Sequence, residues 1–428
     1  MRHSKLIFTA LIKLYPTALG AILPETQPDA QAVCPVHPVG VWPLATSKKT
    51  CPIDLTDFID DEAFSDQDYQ WYRSDKCHRV GSEEFCAFTQ PSFNAGHGIA
   101  LVTTSGILEK MASLPVFTDP RAQPLAWIQS ASPAYQDEQI PGKGIGLVAK
   151  RPLRNNEGLL SRAPIVMVDD TAFKRLGRAR LTELLTQAIG DLPETYQGEY
   201  LNLTTHLHVE THQERVYEIF MRNDFVTPVE GIREFHSVFP HVSRLNHACR
   251  PNSKYTFDAS TLTQSVFAAT EIAPGVELTV TYFDSIQTRS QRQLMSKHGW
   301  GFECTCSHCS ATEEAIEQSD ERVEQIIILQ RHLDDYSATS AASPEKAELL
   351  VKSFKDEGLV TRIVEAYYRA AIEYNSVGSA AEAVQFAKLC VEEGEVLESS
   401  IRPFMNNMRE LIRDPTTHWT WKFRLNAE

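Results

Sequence analysis

The sequence predicts an α+β protein built from more than one domain, and three observations carry that reading. The 428 residues exceed an ordinary single core. Short runs of strand-forming residues separated by turns fill the middle of the chain, and beyond residue 311 only helical patterns remain. Apolar residues make up 42% of the chain, enough for globular packing, and no apolar run reaches the length of a membrane span. The formal net charge of −15 opposes a phosphate backbone, so direct nucleic-acid binding is not expected. A basic protein or peptide suits that field better as a partner.

The first residues read as a targeting segment. Met1 to Lys5 is short and basic, Leu6 to Leu23 is mostly apolar, and Ala18 and Gly20 have the spacing of a cleavage site. Residues 1–20 are therefore expected to be a signal peptide, which would send the protein along the secretory route. Lys13 and Pro16 interrupt the apolar run, and a frayed N-terminal helix with a nuclear or cytoplasmic protein is the other reading. Cys34, Cys51, Cys77 and Cys86 then read as two disulfides of open pairing within a cysteine-containing region, 21–110, and Asn202-Leu203-Thr204 is a glycosylation sequon.

Residues 24 to 75 are rich in Pro, Asp, Gln and Ser, so regular order is expected to begin near Cys77. Phe85 to Thr89 and Gly98 to Thr104 read as a hairpin around a turn at Pro91 to Gly96. Residues 111–139 read as a connection with one short helix. Gly96 to Val102 echoes Gly142 to Val148, which two glycine-rich strand starts do by chance. Ile145 to Ala149 and Ala163 to Val168 follow as strands.

A helical insert is expected at about 170–235. Leu181, Leu184, Leu185, Ala188 and Ile189 share one face of a helix that Gly190 ends, and Val216 to Arg222 forms a second. Strands return at Tyr255 to Phe257, Gln264 to Ala269 and Glu277 to Phe283. Residues 311–428 carry five helical segments, whose alanines at 370, 371, 380, 381, 383 and 387 point to close helix contacts, as in helical-hairpin repeats. This all-α region is a candidate docking site for a protein partner.

The chemistry concentrates in Arg244 to Ser253, where a cysteine, a histidine, two asparagines and two arginines crowd into ten residues. Asn, His and Cys are poor strand-interior residues and Pro251 removes a donor, so a tight loop bonded through its side chains is expected. Cys304, Cys306 and Cys309 are spaced like zinc ligands but supply only three of four. Cys249 is the candidate fourth, since His308 sits between two cysteines where its ring would compete poorly. Three reduced structural cysteines are the alternative.

Gly142 to Leu147, Arg244 to Asn252, Glu277 to Tyr282 and Cys304 to Cys309 together resemble, in order, the four signatures of a SET domain with a post-SET zinc segment. The long insert and helical C-terminus are similar to the MYND-type SET lysine methyltransferases and related fungal SET proteins, although no MYND finger is present in the sequence. The resemblance implies a SET domain over 140–286 with a pseudoknotted β fold, a post-SET zinc segment over 287–310, and S-adenosylmethionine-dependent methylation of a lysine in a protein substrate.

That resemblance assigns roles. Gly144, Ile145 and Gly146 form the turn that cradles the methionine part of the cofactor, with Lys143 pairing its carboxylate; alone, such a turn is only a strand entry. Asn246 and His247 match the pair that grips the cofactor's amino group and adenine, while Arg244 and Asn252 fix the loop. Phe302, with Trp300 as second choice, covers the adenine. Tyr282 orients the target amine, for which packing at the end of a strand is the plain alternative. Ala248 stands where Ser is commoner, and Val276 where an acidic residue often precedes Glu277, which removes a loop contact. The rivals to an active enzyme are a SET shell that only binds a partner, and a methyltransferase acting on a secretory-pathway target.

Overall fold

The computed structural model describes residues 70–119, 134–205, 208–337 and 339–425. The segment 1–20 read as a signal peptide, Cys34 and Cys51 lie outside the described residues. Six strands form one sheet in the order β1 (Tyr72–Val80), β2 (Glu83–Gln90), β3 (Ile99–Thr103), β7 (Val166–Asp169), β9 (Arg233–Val238) and β8 (Asp224–Val229). A four-stranded sheet runs β10 (Asn246–His247), β13 (Glu277–Val280), β5 (Gly144–Ala149), β4 (Tyr135–Ile140), and a three-stranded one β11 (Ser253–Asp258), β12 (Thr263–Ala268), β6 (Gly158–Arg162).

Alternation along the strands decides which core each side chain enters. On β3, Ile99 and Leu101 join a core shared with Leu147, Phe239 and Leu278, whereas Ala100 and Val102 face the other way. On that second face lie helices of the insert: α4 (Asp170–Arg175), α5 (Gly177–Gly190), α6 (Glu194–Leu201) and α7 (His212–Asn223). Leu181, Leu184, Leu185, Ala188 and Ile189 of α5 are all buried there, as their helical spacing predicts. Short helical segments α1 (Phe93–Gly96), α2 (Ser105–Ala112) and α3 (Pro115–Thr118) flank β3.

Several boundaries differ from the sequence reading, each for a physical reason. Among the described residues regular structure begins at Tyr72, because β1 pairs with β2 although it is largely exposed and lacks an apolar stripe. The hairpin is thus the inner part of a three-stranded unit, and Cys77 and Cys86, opposite one another in it, are disulfide-bonded. The stretch read as a connection carries β4, a polar edge strand paired along its whole length with β5. The helical part of the insert stops at Asn223, and 224–238 turn back as the β8–β9 hairpin. The strand expected over Glu277 to Phe283 ends at Val280, so Tyr282 lies beyond the ladder. The echoing segments become β3 and β5, which belong to different sheets.

Helix α8 (Arg289–Trp300) opens with a capping box between Thr288 and Gln291 and closes on Gly301, whose φ of 80° lets the chain leave toward the cysteines. Helices α9 (Glu313–Leu333), α10 (Pro344–Asp356), α11 (Ile363–Ser376), α12 (Ala380–Gly394) and α13 (Glu398–Arg413) enclose their own core, including Ala366, Ala370, Ala371, Ala383 and Ala387. No helix among the described residues is long and apolar enough to cross a membrane.

Candidate active site

Segments far apart in the chain converge on one pocket. The turn before β5 brings Lys143 and Ile145, the approach to β10 brings Ser243, Arg244 and Asn246, and Tyr282 and Trp300 close the far side. The insert supplies another wall with Asn202, Leu203, Thr204, Arg222 and Asn223. The glycosylation sequon therefore lies on the pocket's rim.

A residue that sequence reasoning did not assign to the site ties the floor together. Glu277 takes Lys143 Nζ at 2.7 Å on Oε2 and the Asn246 amide at 2.9 Å on Oε1. The cation and the amide expected to meet a ligand are thus held by a carboxylate of the chain itself. Gly146 makes this approach feasible: a Cβ there would fall 2.7 Å from Ile140 Cγ1, 2.8 Å from Asn246 Nδ2 and 3.1 Å from Glu277 Oε1. Asn252 fixes the same region by donating to the Glu277 carbonyl at 2.8 Å and accepting the Thr279 N–H at 2.8 Å. Arg244 pairs with Asp137 on β4. Val276 is exposed and makes its contact through its carbonyl, which accepts from Ala149 N–H.

Tyr282 donates its hydroxyl to the Leu245 carbonyl at 2.9 Å, and its N–H donates to His247 Nδ1 at 3.1 Å. Burial, reinforced by the Glu277 charge, holds the phenol well above its usual pKa, so it is neutral. Burial likewise pushes the His247 ring down to about 3, with the Lys143 and Arg292 charges opposing protonation as well. Since Nδ1 accepts from Tyr282, the ring proton sits on Nε2, which faces Cys249 Sγ at 3.4 Å. Both ring nitrogens are therefore engaged within the protein, and His247 reaches a ligand only through its main chain.

The cysteines form the second half of the site. Sγ atoms of Cys249, Cys304, Cys306 and Cys309 all lie within 4.8 Å of one another, and none is in a disulfide. Cys249 is 3.8 Å from Cys304 and 3.5 Å from Cys309. Tetrahedral zinc at about 2.3 Å from each sulfur would set them about 3.8 Å apart, so the donor set and its spacing fit zinc. His308 is outside the cluster. Hydrogen bonds from Cys249, Cys304 and Cys309 hold Cys306 below the ordinary thiol range.

Arg292, missed in the sequence because it reads as one more polar residue of a helix, is fully buried on α8. Burial works against its charge, but the Cys249 and Cys309 sulfurs outweigh that and keep it protonated. Four thiolates around a divalent ion carry a surplus of two negative charges, which a buried guanidinium offsets in part. Arg289 adds a bond from Nε to the Cys309 carbonyl at 2.9 Å.

Of the two aromatics expected over the cofactor, Trp300 borders the pocket. Phe302 packs against the cysteines instead, with ring centroids 6.0 Å from His247 and 6.3 Å from Tyr282. The structure thus brings together Lys143, Ile145, Asn246 and Tyr282 around one cavity, and the four cysteines beside it.

Comparison with known proteins agrees with this geometry. The family model described as SET domain matches residues 144–283. The histone-lysine N-methyltransferase set5 of Schizosaccharomyces pombe is 25% identical over 198 residues, covering 46% of this chain and 57% of that protein. SET5 of Meyerozyma guilliermondii is 41% identical over 76 residues, 17% of this chain and 15% of its own length. Human SMYD3 is 32% identical over 88 residues, 20% of each. The chain thus spans little more than half of the first of these relatives and a fifth or less of the other two. Because the family match opens on Gly144 and ends one residue past Tyr282, it encloses the glycine turn, the crowded loop and the strand that joins them, and over residues 144–283 this chain is similar to the SET domain.

Proposed function

We propose that this protein is an S-adenosylmethionine-dependent methyltransferase acting on lysine in a protein substrate. The observation that carries the reading is the shared pocket of Lys143, Ile145, Asn246 and Tyr282. When bound, S-adenosylmethionine would supply an electrophilic methyl on its sulfonium: the lone pair of a neutral lysine amine forms the N–C bond as the C–S bond breaks in line, the thioether departs, and the positive charge passes to the methylated nitrogen. Lys143, whose side chain is 30% exposed, is a cation at the pocket that can turn to a ligand carboxylate. Ile145 borders the pocket, and the missing side chain at Gly146 lets Asn246 and Glu277 pack close against the strand beneath it. Asn246 offers its amide, and Trp300 offers a ring face to a flat heterocycle.

Tyr282 acts by placement. Its neutral phenol has its hydroxyl hydrogen directed to the Leu245 carbonyl, so the oxygen lone pairs face the remaining directions and accept from an amine. Such transfer needs alignment more than a strong base, and burial with a nearby positive sulfur favours the neutral amine. Cys249, Cys304, Cys306 and Cys309 hold zinc as a closed structural site that keeps the segment carrying Trp300 and Phe302 folded against the loop.

Titration calorimetry with S-adenosylmethionine, followed by mass spectrometry of basic proteins incubated with the enzyme, tests this reading. A mass gain of one or more methyl groups on lysine is expected. Cofactor binding with no methylated product across a broad set of substrates would instead favour a binding shell.

A further inference from the structure

We infer that the C-terminal helical domain completes the site through Arg250 and Glu357, which serve as positioning residues for the loop 244–253. Arg250 directly follows the candidate metal ligand Cys249. Its Nη1 donates to the Cys249 carbonyl at 2.8 Å and to the Ser285 carbonyl at 3.0 Å, its Nε donates to the Glu357 carbonyl at 2.8 Å, and its Nη2 pairs with the Glu357 carboxylate. One guanidinium thus joins the cysteine loop, the segment just after Tyr282 and the end of α10.

Glu357 is fully buried and belongs to a network within the helical domain. Its carboxylate also accepts from Ser319 Oγ at 2.5 Å and Arg322 Nε at 2.9 Å, both on α9. A buried carboxylate between two guanidiniums holds its partners in one geometry, because breaking either pair strands a charge away from water. A second tie reinforces the first: Arg362 pairs with Asp284 and with Glu365, fixing the residue between Phe283 and Ser285.

Strand β13 holds the loop on its other side, through Asn246, Ala248 and Asn252, so the clamp fixes the side that the sheet does not reach. Strand β10 contributes only two residue pairs, Asn246 with Thr279 and His247 with Val280. The position of Cys249 and of the segment just after Tyr282 is accordingly set jointly by the sheet and the helical domain. The consequence for cofactor binding rests on the methyltransferase reading; the consequence for the loop and the metal does not.

The test uses the full chain with Glu357→Gln, and Arg250→Lys as a second variant that keeps charge but loses the fork. Arg409→Ala, which breaks the partly exposed pair with Glu398 elsewhere in the helical domain, is the control. Hydrogen exchange of the peptide spanning 244–253, zinc released to a chelator, and S-adenosylmethionine affinity are measured together with KM and kcat. Partners behind a metal ligand typically alter metal affinity roughly 10–100-fold, and a loss of that order is expected for Glu357→Gln, with faster exchange of the loop. KM for the cofactor should rise more than kcat falls, and Arg250→Lys should be intermediate. If Glu357→Gln unfolds the chain, the graded effect of Arg250→Lys decides. Loop exchange and zinc release equal to wild type in both variants, or matched by Arg409→Ala, would overturn the inference. A wild-type chain that binds no cofactor would refute the functional reading while leaving loop exchange and zinc release to judge the clamp.

Discussion

Gly146→Ala is the sharpest probe of the pocket floor. A methyl group at this position would meet Ile140 Cγ1 at 2.7 Å and Asn246 Nδ2 at 2.8 Å. Carbon atoms at their attractive optimum sit about 3.5–4.0 Å apart, so the overlap with Ile140 approaches 1 Å. Neither neighbour is a flexible chain end: Ile140 Cγ1 branches next to the backbone, and swinging the Asn246 amide away breaks its 2.9 Å bond to Glu277. Overpacking costs about 1–3 kcal/mol, and a hydrogen bond to a charged group contributes about 1.5–3 kcal/mol. If about 1.4–2.8 kcal/mol of that falls on the bound state, cofactor affinity drops roughly 10–100-fold. Titration calorimetry measures the loss, and thermal unfolding reports the remainder. Gly142→Ala is the comparison, since φ is 74° there but a Cβ meets nothing within 4 Å; it should lower stability and spare affinity. Unchanged cofactor affinity in Gly146→Ala would refute the pocket as drawn.

Two further outcomes separate the parts of the site and of the fold. Cys249→Ser should lose zinc and weaken cofactor binding, whereas Tyr282→Phe should spare binding and lower turnover on the order of 10²-fold; equal effects on affinity would contradict this division. His236, buried against Asp224 at 2.8 Å and Asp170 at 3.3 Å, has a raised pKa because those bonds and charges outweigh the opposing effect of burial. Its contribution is therefore complete below the unfolded value of about 6.5 and is lost as pH rises through the folded value. Denaturant melts across that window should show falling stability for wild type and a flatter profile for His236→Gln.

What the sequence made legible was short in range. The glycine turn, the crowded loop and the triple-cysteine segment each declare themselves within ten residues, and helix α5 follows from its leucine spacing. Glu277 escaped notice because its partners lie 134 and 31 residues away, and nothing in a strand-like run marks a shared acceptor. Arg250 counted toward the density of the loop but received no role for the same reason, its partner Glu357 lying 107 residues away. Strands β1 and β4 were missed because polar edge strands show no apolar alternation; backbone pairing alone defines them. Trp300 and Phe302 both suit a stacking role by chemistry, and only the turn at Gly301 settles which of them borders the pocket.

The clamp between Arg250 and Glu357 also sets an order of events during synthesis. Glu357 lies 107 residues beyond Arg250. At about 5–20 residues per second, roughly 5–20 s pass between the two leaving the ribosome. Over the last 48 of those residues, from Cys309 to Glu357, all four cysteines are already made, but the loop that carries Cys249 still lacks its anchor. A chain broken off before α10 would therefore carry all four candidate metal ligands and every residue of the pocket, yet lack the contact between Arg250 and Glu357.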